Sequence, residues 1–149
     1  MTDARDIARE LARGTARALA QLGHASLFEV PLANGRRADI VALGRDGSLL
    51  IVEVKSSVAD FRSDRKWPDY RAFCDRLAFA VPADFPRALI PEDCGLIVAD
   101  PFGAHVVREG AHLPLAPARR RAVTLRLARL GLSRLQRLAD PAALDPEPG

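Results

Sequence analysis

Three charged residues, Asp39, Glu53 and Lys55, interrupt two apolar runs, "RRADIVALG" over 36–44 and "SLLIVEVKSS" over 48–57. The runs are rich in β-branched residues and are separated by Arg45-Asp46-Gly47, which is the pattern of a tight β-hairpin. If those three residues form the loop, Gly44 faces Ser48, and stepping outward places Asp39 opposite Glu53. Side chains alternate along a strand. One face of the hairpin then carries Asp39, Val41, Leu43, Leu49, Ile51, Glu53 and Lys55, and the other carries Ile40, Ala42, Leu50, Val52 and Val54. Both faces are largely apolar, so the hairpin belongs at the centre of a sheet.

Two carboxylates a few Å apart in a partly dry place repel, and one must hold a proton unless a cation lies between them. A divalent metal removes the conflict. Hard oxygen ligands suit Mg²⁺ or Mn²⁺, and an ion held by one or two carboxylates keeps waters that can be activated. Lys55, on the same face, could orient or deprotonate such a water, or neutralise charge developing on a phosphate. The competing reading is a surface pair at a frayed strand end, with Asp39 as a salt-bridge partner that contributes little.

The elements that must position these residues follow from the pattern along the chain. Residues 3–22 put Ile7, Leu11, Thr15, Ala18 and Leu22 at helical spacing, with Asp3 and Asp6 in the first turn and Gly23 as the stop. "SLFEVPL" alternates Phe28, Val30 and Leu32 against Glu29 as a first strand, confined by Pro31 to an edge or a strand end, and Asn34-Gly35 tips the turn after it. After the central hairpin, "PDYRAFCD" reads as a second helix opened by Pro68, and "RLAFAV" as a fourth strand. "GLIVAD" and "AHVVR" form a second hairpin turned at Pro101-Phe102-Gly103. An arginine-rich helix interrupted at Gly131 follows, and then a disordered Pro-rich tail over 141–149. The fold class expected is α/β, an αβββαβ core with a mixed, mostly antiparallel sheet flanked by helices, extended by the C-terminal hairpin and helix. Residues 1–140 would form one domain.

Bulk composition narrows the function classes. With 149 residues, 48% apolar and 28% charged, the chain has the composition of one globular domain. No stretch is apolar enough to span a membrane, and "MTDARDIARE" is charged where a signal peptide needs an apolar core, so a cytoplasmic location is expected. Cys74 and Cys94 lack zinc-site spacing and read as core thiols. His24, His105 and His112 are too scattered for a metal set. Ser56 and Ser57 lack a linked His and acid for nucleophilic work, and no Gly-rich phosphate loop argues for an ATPase or kinase.

"RADIVAL" followed by "LLIVEVKSS", with a helix before and a helix and strand after, resembles the restriction-endonuclease-like core of the PD-(D/E)XK nuclease superfamily. The stretch "EVKSSVADFRSDRKWPDYRAFCDRLAFAVP", residues 53–82, resembles the MmcB-related DNA repair proteins more specifically, over about residues 10–140. The resemblance implies that Asp39 and Glu53 bind metal with the Val54 carbonyl as a further oxygen ligand, and that Lys55 is the catalytic lysine. Ala38 stands where the superfamily name has proline. Some relatives add a glutamate from the first helix; Glu10 lies close to the comparable turn and Glu29 is the alternative, so the third carboxylate stays open.

The activity implied is Mg²⁺- or Mn²⁺-dependent cleavage of DNA in repair, endonucleolytic or exonucleolytic, with homodimer formation open because nucleases that cut two strands often pair. Lys66, Trp67 and Tyr70 precede the fourth strand, where the superfamily often places extra polar groups, and a cation beside an aromatic suits a phosphate and an exposed base; equally, the aromatics could pack the helix onto the sheet. Arg119, Arg120, Arg121 and Arg126 lead a basic flank beside Val123, Leu127 and Leu130, suited to salt-dependent contact with phosphates. The alternatives are a solvated surface helix and, third, a membrane-surface helix. The rival to a nuclease is a catalytically inactive member of the fold that binds DNA or acts as a scaffold.

Overall fold

A chain with apolar residues on both sides of its central strands must cover both faces of a sheet, and the computed structural model, which describes residues 3–142, does so with helices. The first helix, α1 (Ala4–Gln21), begins at Asp3, whose carboxylate accepts the Asp6 N–H at 2.9 Å, and ends before Gly23 at φ 91°. Its buried face is Leu11, Gly14, Thr15 and Leu19. Leu22, expected on that face, is exposed because the helical geometry ends at this residue. The Thr15 hydroxyl donates to the Leu11 carbonyl at 2.7 Å, which satisfies a polar group inside an apolar face.

Six strands follow in one sheet ordered as they occur in the chain: β1 (Ala25–Pro31), β2 (Arg37–Leu43), β3 (Leu49–Val54), β4 (Arg76–Val81), β5 (Gly95–Ala99) and β6 (Ala104–Arg108). β1, β2 and β3 are antiparallel; β3, β4 and β5 are parallel; β6 returns antiparallel. β1 lies at the edge, where Pro31 is tolerated. Its expected alternation breaks at Glu29, which takes φ 49° in the left-handed region. Leu27 and Val30, three residues apart, therefore pack into the same core, and Phe28 is exposed.

The parallel connection between β3 and β4 runs through a short helix, α2 (Val58–Ser63), and a 3₁₀ stretch, Trp67–Phe73. The helix expected over "PDYRAFCD" is thus 3₁₀, ending at Phe73, and the segment before it, which the sequence pattern assigned to no element, is helical, with Ser57 capping it by accepting the Asp60 N–H at 3.1 Å.

The alternation expected for the central hairpin holds. Ile40, Ala42, Val52 and Val54 pack under α1 with Leu11 and Leu19, and Val41, Leu49 and Ile51 pack on the opposite side with Phe73, Phe79 and the last helix. That helix, α3 (Pro117–Ala139), runs unbroken through Gly131, against the expected interruption. A helical glycine costs about 1 kcal/mol relative to alanine, less than the burial of Val123, Leu127 and Leu130 supplies. The tail expected from Pro141 lies, beyond Ala142, outside the described residues. Among the described residues no helix is long and apolar enough to cross a membrane.

Asp75 ties the two layers together. Its buried carboxylate receives the Arg120 guanidinium at 2.6 and 2.7 Å, the Leu49 N–H at 2.7 Å and the Leu115 N–H at 2.9 Å. The Arg120 guanidinium holds this carboxyl well below the usual carboxylate range, even though burial works the other way.

Candidate active site

Gly44 N–H donates to the Ser48 carbonyl at 2.9 Å, and the register pairs Leu43 with Leu49 and Ile40 with Val52. One step further along this ladder Asp39 faces Glu53. The Asp39 N–H donates to Glu53 Oε1 at 3.1 Å, and the Val54 N–H donates to Asp39 Oδ2 at 2.8 Å. Each carboxylate is therefore anchored by a main-chain donor on the other's strand. A hairpin that ends in hydrogen bonds to acids rather than to carbonyls is how these two strands hold polar side chains at the edge of an apolar core.

Glu53 is 3% exposed and Asp39 half-buried. Burial, followed by the charge of Asp39, pushes the Glu53 carboxyl up to about 9. Burial also raises Asp39, against the opposing pull of the Val54 N–H. A pair in this state holds a proton near neutral pH, or exchanges it for a cation.

Lys55 is 6% exposed, and its main-chain N–H donates to the Ala80 carbonyl at 2.9 Å. Its ammonium makes ion pairs with Asp64 Oδ2 at 2.6 Å and Asp60 Oδ1 at 3.9 Å. Asp60 is brought there by the cap of α2, since its Oδ2 also accepts the Ser56 N–H at 3.3 Å. Although burial opposes it, the Lys55 ammonium keeps Asp64 below the usual carboxylate range. The signal in the sequence for Asp60 and Asp64 is two acids on the segment following a lysine that must be buried.

The residues expected around this pair divide. Tyr70 is buried, its hydroxyl donating to the Arg37 carbonyl at 2.9 Å, and burial together with the Glu53 and Asp39 charges pushes its phenol up. Trp67 meets Phe79 edge-on with ring centroids 5.3 Å apart. Both aromatics thus pack the connection onto the sheet. Lys66 is exposed beside Asp64, whose Oδ1 accepts the Lys66 N–H at 2.8 Å. Arg62 and Arg65 on the crossover and Arg37 at the start of β2, not singled out from sequence, are exposed; the cation-rich run "FRSDRK" was the signal for the first two.

The α3 arginines are largely engaged by the protein itself. Arg120 is held by Asp75 and by the Gly47 carbonyl at 3.1 Å, at the far end of the hairpin from Glu53. Arg119 stacks over Phe73 at 4.6 Å, and Arg126 reaches the Pro31 carbonyl at 3.5 Å. Arg121 is exposed. Neither Glu10 nor Glu29 joins the acid pair: among the described residues no three His, Cys, Asp or Glu side chains converge as a metal-holding group. Glu29 falls opposite Asp39 in the β1–β2 register but is exposed.

Two carboxylates with oxygens to spare nonetheless fit Mg²⁺, which is commonly held by one or two carboxylates and completes its shell with water and substrate phosphates. A cavity of about 310 Å³ lies elsewhere, lined by Leu50, Arg76 and Gly95 at the opposite ends of β3, β4 and β5, so it plays no part in this chemistry.

The fold and the acid pair define a class: a mixed-sheet α/β protein carrying a charged cluster where the central hairpin meets the crossover to β4. The same architecture occurs in a solved structure, the SPO1766 protein of unknown function from Silicibacter pomeroyi, with 41% sequence identity, a TM-score of 0.89, and coverage of 93% of this chain and 94% of that one. No curated protein matches the chain. The model of the MmcB-like DNA repair proteins matches residues 1–142, and the chain belongs to that family.

Proposed function

We propose that this protein is a nuclease of the PD-(D/E)XK type with a restriction-endonuclease-like core, which hydrolyses DNA phosphodiesters in repair with Mg²⁺ or Mn²⁺. The observation that carries the reading is the facing pair of half-buried Asp39 and buried Glu53, anchored by each other's strands and short of a positive charge. The family's description as DNA repair proteins supports DNA as the substrate.

In this reading Asp39, Glu53 and the Val54 carbonyl would hold the ion, which when bound would supply Lewis-acid polarisation of the scissile phosphate and a more acidic water. Glu53 would hold it as the carboxylate, because a protonated carboxyl is a poor ligand. Lys55 Nζ, paired with Asp64, would donate to the attacking hydroxide or to a non-bridging phosphate oxygen as negative charge grows there. Exposed Arg37, Arg62, Arg65 and Lys66 hold the flanking phosphates, giving affinity without sequence preference.

A second reading is a DNA-binding or scaffold protein without cleavage. The 2.6 Å Lys55–Asp64 pair favours it, because an ammonium already neutralised has less charge to offer a phosphate. Labelled single strands, duplexes and flaps incubated with Mg²⁺ distinguish the two. Cleavage by wild type that falls at least about 100-fold in Glu53→Ala and Lys55→Ala supports the nuclease. DNA binding with no cleavage by any form supports the rival.

A further inference from the structure

We propose that the outer face of α3 docks an acidic amphipathic helix of a partner protein. A surface helix ordinarily turns polar residues to solvent. α3 instead carries Leu125, Leu132 and Leu135 on its outer side at 50%, 67% and 62% exposure, while Val123, Leu127 and Leu130 already serve the core; Leu138, 81% exposed, follows the core-facing stripe at the helix end. These are four of the eight exposed large apolar side chains among the described residues, so the surface apolar area is concentrated on one element. Leu125, Ala128, Leu132 and Leu135 succeed one another at intervals of three, four and three, the spacing of a coiled-coil seam.

Charge selects the occupant. α3 contains seven arginines and no acid. Arg119, Arg120, Arg126 and Arg134 turn inward, to the Phe73 ring, to Asp75 and to β1 carbonyls. Arg121 and Arg129 are exposed and share the outer stripe with the leucines. A second copy of the chain would set the same cations against each other along this seam, which disfavours self-association. A nucleic-acid backbone would leave the leucines against phosphates and water. A helix with leucines at matching positions and glutamates beside them satisfies both features.

The test uses the full chain and two synthetic helical peptides of about three heptads, with leucine at the seam positions and either glutamate or lysine at the flanking ones. The expected result is that the glutamate peptide perturbs the amide resonances of Leu125, Ala128, Leu132 and Leu135. Its affinity should drop at least about tenfold in folded Leu132→Glu and in about 0.5 M salt, with DNA binding by Leu132→Glu unchanged. Equal binding of the lysine peptide, or perturbations elsewhere on the protein, overturns the proposal. So does a wild-type dimer abolished by Leu132→Glu, which makes the occupant a second copy. Weakened DNA binding in Leu132→Glu also overturns it, by making this a nucleic-acid surface.

Discussion

The Lys55 ammonium lies 2.6 Å from the Asp64 carboxylate, and its ion pairs are with Asp64 and Asp60 rather than with Glu53 two residues before it. Lysine and acid lie on either side of α2, the helix that carries the chain off β3. In the proposed nuclease the charge that would act at the site is thereby held by the crossover and not by the sheet, which would make Asp64 a positioning residue.

Asp64→Asn removes the counter-charge while keeping the shape. In the proposed nuclease the ammonium then loses the partner that holds it in place, so kcat falls by about tenfold while KM holds. Asp64→Glu, which keeps the charge, restores most of kcat. Steady-state kinetics of the three forms measure this, and a purely structural Asp64 would lower the amount of folded protein without changing kcat per folded molecule.

Stability should also respond to pH through Glu53. Its carboxyl is raised in the folded state, from 4.5 to about 9, so the folded chain keeps a proton that the unfolded chain releases. The stabilisation is full below the ordinary carboxylate range and is lost as pH climbs toward 9, at up to about 1.4 kcal/mol per pH unit. Urea unfolding at pH 6 and pH 9 without divalent ions should show the loss in wild type and a flatter response in Glu53→Gln. Millimolar Mg²⁺ should restore wild type at pH 9 and leave Glu53→Gln unchanged.

Arg120→Ala strips the buried Asp75 carboxylate of its bidentate partner. It should cost about 3 kcal/mol in urea unfolding, with DNA affinity unchanged because this guanidinium faces inward. Asp75 is lowered in the folded state, so its contribution is present above the ordinary carboxylate range and disappears on acidification. The variant's deficit should therefore shrink toward low pH.

Gly14→Ala would ordinarily strengthen a helix by about 1 kcal/mol. Here a Cβ would sit 1.8 Å from the Asp100 carbonyl oxygen and 2.6 Å from that of Gly103, both main-chain atoms of the β5–β6 turn. α1 must move off the sheet to admit it. Thermal unfolding should show a loss of at least about 2 kcal/mol.

The central hairpin could be read directly from sequence because a three-residue loop and strict alternation leave one register that keeps Val41, Leu49 and Ile51 on one face, and that register carries Asp39 to Glu53. Pro31 likewise confined the first strand to an edge or a strand end, and it is both the last residue of β1 and on the edge of the sheet. Other features depend on contacts distant in the chain. Arg120 looked like a phosphate ligand because its acid partner is Asp75, 45 residues away. Trp67 and Tyr70 looked available because Phe79 and the Arg37 carbonyl, which receive them, become neighbours only once β4 is laid beside β3. The positive φ of Glu29 has no glycine to announce it, so the switch of Val30 into the core with Leu27 was invisible. Ser57 with Asp60 three residues on is the local cap signal for α2, a helix too short to show an apolar periodicity of its own.

Whether Asp39 and Glu53 together hold a dication decides between the nuclease and its rival. Anomalous scattering from crystals of the wild-type protein soaked in Mn²⁺ answers it. A peak ligated by both carboxylates and absent from Glu53→Gln crystals is expected; millimolar Mn²⁺ that leaves no peak there, or a peak that persists without the Glu53 carboxylate, overturns the proposed metal site.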